Sequence, residues 1–436
     1  MKTFNKNLLW ASITAVALTG CGGGSSSSGS TEEHEHESSV LVSQSGNATL
    51  SLLEDGALES LTGTTAEVNP SFVLSETGAY AAVLSGTTVS FVHGLHEEED
   101  EDHDEDDHDE DDHDHEEEAH LLGHSYTGDQ VITTGGHFAI LNKTTKTTTF
   151  IEYDELENDT PVTESTSSLS TSQTYPALMI DEDHEVVMVF DGTNAKVYEG
   201  LTEEASFECT KPTSHGQTDE LVVVTCDEGA RAIVIGENES QEHTFTGSLL
   251  TLDGADYIWR AEGHVIVGFE ADTSNYAIVE LDGTSPAVVQ GSDASAQAIE
   301  RTICDIQLDS EEQDIFVLGA GDATNVGDIL VVLGHKGELL KEETLNTLNN
   351  TDCGDLVMAS ASDNALVINN SVQKAYDIDA HEGDNYHVHS EYELLVNDIA
   401  DVVIFHEKDA DHNHEEDEDA DHDHEEDEDE DADHDH

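Results

Sequence analysis

From about residue 40 to residue 406, short runs of β-branched and other apolar residues alternate with polar ones. Turns rich in Gly, Asp, Asn and Ser separate them. Alternation with a period of two marks a half-buried strand, and few segments carry the 3.6-residue period of a helix. The strongest runs are Ala79 to Leu84, Phe138 to Asn142, Val186 to Phe190, Leu221 to Thr225, Val265 to Phe269, Asp314 to Leu318, Leu356 to Ala359 and Val402 to Phe405. Leaving out one acidic insertion, they recur roughly every 35 to 50 residues, the spacing of propeller blades, and each is expected to be the inner strand of one blade.

Many of these runs pass through a turn into a second apolar strand, as Gly86 leads into residues 88–92 and Gly192 into residues 195–198. The last unit, Leu394 to Phe405, lacks outer strands, and Val40 to Leu53 offers two strands without an inner one. Pairing the two closes the ring and removes the sheet edges. The expected fold is all-β, a single β-propeller of eight blades. Seven blades are the alternative, since irregular units are easily split or merged.

The domain plan follows. Residues 1–20 read as a lipoprotein signal peptide and 21–39 as a Gly/Ser linker with a short His/Glu segment. Residues 40–406 form the propeller, with an acidic insertion at 97–118, and 407–436 form a tail. Lys2 and Lys6 supply a basic start, Leu8 to Leu18 an apolar stretch too short to span a bilayer, and Leu18-Thr19-Gly20-Cys21 the pattern of a bacterial lipobox. Cys21 is therefore the expected lipidation site. Gly22, where an aspartate would favour inner-membrane retention, favours the outer membrane. No other segment reaches membrane-spanning length, so the body is expected to sit outside the cytoplasm, as a periplasmic or cell-surface lipoprotein.

Composition then changes the picture. The formal charge is −86, with 99 acidic residues against 13 basic ones. Such an excess repels nucleic acid and anionic lipid and attracts cations. The insertion packs 18 acids and four histidines into 22 positions, and Asp409 to His436 holds 18 acids and six histidines in 28. A shorter version, with His34 and His36, runs from Glu32 to Glu37. Adaptation to a salty habitat accounts for acidity alone; it leaves the interleaved histidines unexplained. Imidazole nitrogen and carboxylate oxygen are zinc ligands, so these tracts read as zinc-binding, with other divalent cations possible.

His103, His108 and His113 recur every five residues, which matches neither a helical nor a strand face, so the tract reads as a flexible multidentate ligand. His93, His96, His120 and His124 stand where the insertion leaves and rejoins the scaffold, and rigid elements place ligands more accurately than free loops. His113 and His115 form an H-x-H pair able to complete a shell. Other histidines, among them His137, His184, His215, His264, His335, His387 and His389, lie near strand starts or turns. Of these His215 is the best candidate ligand, since it lies between Cys209 and Cys226.

Setting Cys21 aside leaves Cys209, Cys226, Cys304 and Cys353, which allow three pairings. An extracytoplasmic site permits disulfides, and proximity in sequence favours Cys209 with Cys226 and Cys304 with Cys353. A four-thiolate zinc site is disfavoured by the lack of any C-x-x-C spacing.

Gly135-Gly136-His137-Phe138-Ala139-Ile140, the stretch from Cys209 through His215-Gly216 to Cys226-Asp227-Glu228-Gly229, and a His/Asp loop between early blades resemble the periplasmic β-propeller zinc metallochaperones of the AztD type. The resemblance runs roughly from Pro70 to Asp379. It implies zinc binding and delivery of zinc to the solute-binding protein of a zinc ABC importer. The lipid anchor and the long acidic tracts set this chain apart from that pattern.

Signatures of hydrolases, metalloproteases, P-loop enzymes and dinucleotide-binding enzymes are absent, and the Asp-rich runs lack the spacing of a calcium-binding EF-hand loop. No catalytic residues are therefore assigned. Two other classes compete with a zinc-handling protein: a propeller hydrolase with a channel-bound metal, and a surface adhesion protein whose acidic tracts bind calcium.

Overall fold

The computed structural model describes residues 39–54, 57–61, 69–94, 119–158, 160–169, 171–182, 184–238, 242–309, 313–347, 351–361, 364–381, 385–396 and 398–406. Their strands form eight antiparallel sheets of four, each a simple meander. This is the expected all-β propeller, with eight blades rather than seven.

Blades 1 to 7 take residues 71–127, 130–165, 175–208, 214–249, 257–290, 302–344 and 356–393 in order. Blade 8 joins the two ends of the chain. Its first strand, Ile399–Ile404, pairs antiparallel with Val40–Gln44, so that Val42 faces Val402, and Leu50–Glu54 and Ala57–Ser60 complete it. The pairing expected between the last unit and the first thus forms, and it leaves no inner strand unpaired.

Which strand is innermost corrects the reading from sequence. Six of the eight strongest apolar runs, from Ala79 to Leu84 through Asp314 to Leu318, fall on the second strand of their blade; only Leu356 to Ala359 and Val402 to Phe405 lie on first strands. The reason is burial. A second strand packs against neighbouring blades on both faces, as in Leu221–Cys226 and Ile315–Ala320, where every residue is buried. Such strands read as continuous apolar runs. A first strand borders the central channel and mixes polar residues in, as Ser214–Gln217 and Thr302–Leu308 do.

Between blades the apolar side chains form contiguous layers. Val222, Val224 and Ile233 of blade 4 pack on Met188, Phe190 and Val197 of blade 3. Ile315, Val317 and Val331 of blade 6 meet Val267 and Ile278 of blade 5. Trp259, buried between blades 4 and 5, has its indole N–H paired there, donating to Thr225 Oγ1 at 2.7 Å.

Antiparallel strands and short links between blades give the ring two distinct faces. Turns between first and second strands, and between third and fourth, all open on one face. The insertion joins the third and fourth strands of blade 1, Thr88–His93 and His120–Thr127, so that side is called the insertion face. Both disulfides lie on the opposite face. Cys209 pairs with Cys226 and Cys304 with Cys353, at Cα separations of 5.2 and 5.0 Å, as proximity in sequence favours. Their thiolates are thereby consumed, which excludes a four-thiolate zinc site.

Candidate metal centre

Three groups of histidines and carboxylates stand on the insertion face, side by side across blades 1 to 4. The first is at the foot of the insertion. His93 ends one strand and His120 begins the next, directly opposite in the ladder, with ring centroids 5.6 Å apart. His93 is buried under the Tyr80 ring, stacked at 4.7 Å, and its Nδ1 lies 3.6 Å from Glu157 Oε1 of blade 2. The Tyr80 hydroxyl donates to that same carboxylate oxygen at 2.8 Å. His124, four residues on, sits between Phe91 and Tyr126, and burial lowers its pKa; its Nε2 has no hydrogen-bond partner among the described residues. His96, His103, His108, His113, His115 and Cys21 lie outside the described residues.

The second group forms around His137. Gly135 and Gly136, at φ of +50° and +75°, make a two-residue hairpin turn that only glycine enters readily, and a Cβ on Gly135 would stand 3.0 Å from the Met179 carbonyl oxygen. His137 follows at once and is buried. Its Nδ1 lies 2.6 Å from the Gly135 carbonyl oxygen. A carbonyl only accepts, so Nδ1 donates to it, which leaves Nε2 as the nitrogen that a neutral ring would offer to a metal. That Nε2 faces Glu182 Oε1 at 3.9 Å. Glu152, opposite His137 in the ladder, completes the group, with ligand atoms of all three residues within 4.8 Å of one another. Burial raises the Glu152 carboxyl pKa, and the nearby charge of Glu182 raises it further.

The third group uses the same turn from its other side. Asp181 ends the first strand of blade 3 and Glu182 follows it, so adjacent residues serve adjacent groups. Asp181 Oδ2 lies 2.9 Å from His184 Nδ1 and 3.1 Å from His243 Nε2, and the His184 backbone N–H donates to Asp181 Oδ1 at 3.0 Å. His243 begins the fourth strand of blade 4, stacked near Phe245. Burial by itself would raise the Asp181 carboxyl, but the hydrogen bonds from His184 and the charges of His184 and His243 outweigh it and hold it low.

Both three-residue groups fit zinc by donor type, one offering a nitrogen and two carboxylates, the other two nitrogens and one carboxylate. Reasoning from sequence took up His137 but missed Glu152, Glu182, Asp181 and His243 as ligands, and placed His184 only among the histidines near strand starts or turns. The ligands come from three blades and are separated by up to 62 residues between Asp181 and His243, a juxtaposition that only the ring creates. The one local signal was the Asp181-x-x-His184 spacing in a turn.

His215 lies elsewhere, in the central channel. A cavity of about 460 Å³ runs between the first strands and is lined by His215, Tyr175, Arg260, Asp305 and Asp401 among others. His215 Nδ1 lies 3.0 Å from the Tyr175 hydroxyl, and its ring also bonds to the Thr133 backbone. Burial pushes its pKa down to about 4. The structure thus holds this imidazole beside the Tyr175 hydroxyl, favours its neutral form and sets it away from the groups on the insertion face. Arg260 Nη2 lies 3.7 Å from Asp305 Oδ1, and burial raises the carboxyls of Asp305 and of Asp401, the latter to about 6.

No protein-family model matches the chain, and no curated protein does. Similar solved structures include apo AztD from Citrobacter koseri, 13% identical with a TM-score of 0.61, covering 84% of this chain and 97% of that one. A crystal structure of Citrobacter koseri AztD is 12% identical with a TM-score of 0.62, covering 84% of this chain and 98% of that one. At these identities the likeness is one of fold, and by that fold this chain is similar to the AztD propellers, in agreement with the resemblance carried by its sequence motifs.

Proposed function

We propose that this protein captures zinc outside the cytoplasm, tethered through a lipidated Cys21, and delivers it to the solute-binding protein of a zinc importer. The observation that carries this reading is the row of His/carboxylate groups on the face from which the acidic insertion emerges. The tracts supply many weak ligands and so raise the local concentration of zinc. The propeller supplies a few ligands held by hairpin turns and ladder pairs, which gain affinity because their geometry needs little reordering. The resemblance to AztD-type metallochaperones supports both zinc as cargo and a solute-binding protein as recipient.

The test is transfer. Full-length protein loaded with zinc is mixed with a zinc solute-binding protein, with and without a fast chelator in the medium. Direct delivery predicts that zinc reaches the recipient at the same rate whether or not the chelator is present. Complete interception by the chelator means release into solution, which would make the protein a passive buffer and refute delivery.

A further inference from the structure

The central channel has two unlike walls. On one side stand Arg260 of blade 5 and Asp305 of blade 6; across the ring, blades 1 and 2 present Leu74 and Ile132, apolar and half-buried. The cavity between them, about 460 Å³, has room for a small organic molecule. Among the described residues that line it, Arg260 is the one arginine or lysine.

Arg260 has donors to spare. Its side chain is 40% exposed, and among the described residues it donates one hydrogen bond, from Nη1 to the Trp259 carbonyl at 3.2 Å. Asp305 Oδ1 stands 3.7 Å from Nη2, an ion pair too long to be a hydrogen bond. A guanidinium carries five N–H donors, so most are left for a partner in the channel. Asp305 accepts from the Ile306 N–H at 2.9 Å and from Gln307 Nε2 at 3.0 Å, and its oxygens keep further lone pairs.

Charge narrows the choice of partner. A metal ion or a simple cation would meet the Arg260 guanidinium, and both three-residue ligand groups of the described residues lie on the insertion face instead. A simple anion would meet Asp305, Asp401 and a chain of charge −86. A molecule that carries both charges side by side meets neither objection. We infer that the channel binds a free α-amino acid with an apolar side chain, its carboxylate on Arg260, its ammonium on Asp305 and its side chain against Leu74 and Ile132. An α-amino acid holds its two charged groups on one carbon, a spacing that suits a guanidinium and a carboxylate set 3.7 Å apart. Binding exchanges one long ion pair for two charge-assisted sets of hydrogen bonds in a confined site. Nothing in this inference depends on zinc.

Calorimetry on the zinc-stripped full-length protein tests it, with leucine, valine and phenylalanine as probes. At least one of the three is expected to bind saturably at one molecule per chain. Its amine-free acid and its carboxylate-free amine, such as 4-methylpentanoate and 3-methylbutylamine for leucine, should each bind at least about tenfold more weakly, because each leaves one charged group of the site without its partner. Arg260→Gln should bring the amino acid down to the affinity of the carboxylate-free amine. No saturable binding of any of the three probes would overturn the inference. So would an amine-free acid as tight as its parent, which would make the site one for plain carboxylates, or an equally tight amine, which would make it one for plain cations. Unchanged affinity in Arg260→Gln, with circular dichroism showing the fold intact, would place the binding outside the channel and overturn it as well. The comparison of analogues on wild type stands whether or not the variant folds.

Discussion

At the scale of single residues, the channel sets two half-buried groups against each other. Burial holds the Asp401 carboxyl at about 6, above its unfolded value, so the protonated form is favoured in the folded state. The stability it contributes is complete below about pH 3.9 and is lost as pH rises through 6. Burial holds His215 at about 4, below its unfolded value of about 6.5, so its contribution is complete above about pH 6.5 and is lost as pH falls through 4. Between about pH 4 and 6 each has a slope of about 1.4 kcal/mol per pH unit, of opposite sign, and the two cancel. Asp401→Asn should uncover the histidine, making stability rise with pH across that window relative to wild type; His215→Gln should make it fall. Denaturant unfolding at pH 4, 5 and 6 measures the slopes, and two variants that both kept the wild-type profile would contradict the account. The two were not legible as a pair in the sequence, since Asp401 of blade 8 and His215 of blade 4 share only the channel that both line. His137 was legible because glycines precede it and strand residues follow it.

At the scale of elements, the apolar pattern located strands well and ranked them wrongly. Val265–Glu270 stands out in the sequence because both its faces are buried, whereas Thr302–Leu308 alternates because one face looks into the channel. The rule that apolar runs mark the centre of a fold assumes that the centre is dry, and a propeller has a wet axis. Disulfide pairing was legible because the partners are close in sequence, in segments that the turns between strands bring together. The Cys209–Cys226 bridge spans 17 residues and the Cys304–Cys353 bridge 49. Loop-closure entropy then predicts that replacing each pair by alanine lowers stability by about 3 and about 4 kcal/mol respectively. Tight zinc affinity should not change in either variant, because both bridges lie on the face away from the ligand groups. Denaturation curves and zinc titrations on the same samples check both halves of that expectation, and weakened tight zinc binding would mean that the two faces communicate.

At the scale of the whole molecule, ring closure depends on the strand Ile399–Ile404, which fills the inner position of blade 8 and whose Asp401 accepts a hydrogen bond from the Phe72 backbone at 2.8 Å. A chain ending at residue 398 should expose the edge of Val40–Gln44 and associate, seen as early elution in size exclusion, whereas a chain ending at residue 408 should stay dispersed. Equal elution of the two would show that closure is dispensable. The charge of −86 acts on the same scale. Self-repulsion weakens as the screening length falls from about 30 to about 8 Å, so the melting temperature should rise between about 10 and about 150 mM NaCl. A melting temperature indifferent to salt would place the repulsion outside the folded body.

The closing pair has a mechanical consequence. Val40 faces Ile404 in the ladder, and the Phe405 N–H donates to the Ser39 carbonyl at 2.8 Å, so the chain enters and leaves the propeller at the same end of one strand pair. Tension applied between Ser39 and His406 loads the bonds of that ladder one after another, in the manner of a zip, rather than all at once in shear. The ring, held together by the apolar layers between its eight blades, should therefore open under a small pulling force, and it should open at blade 8 first.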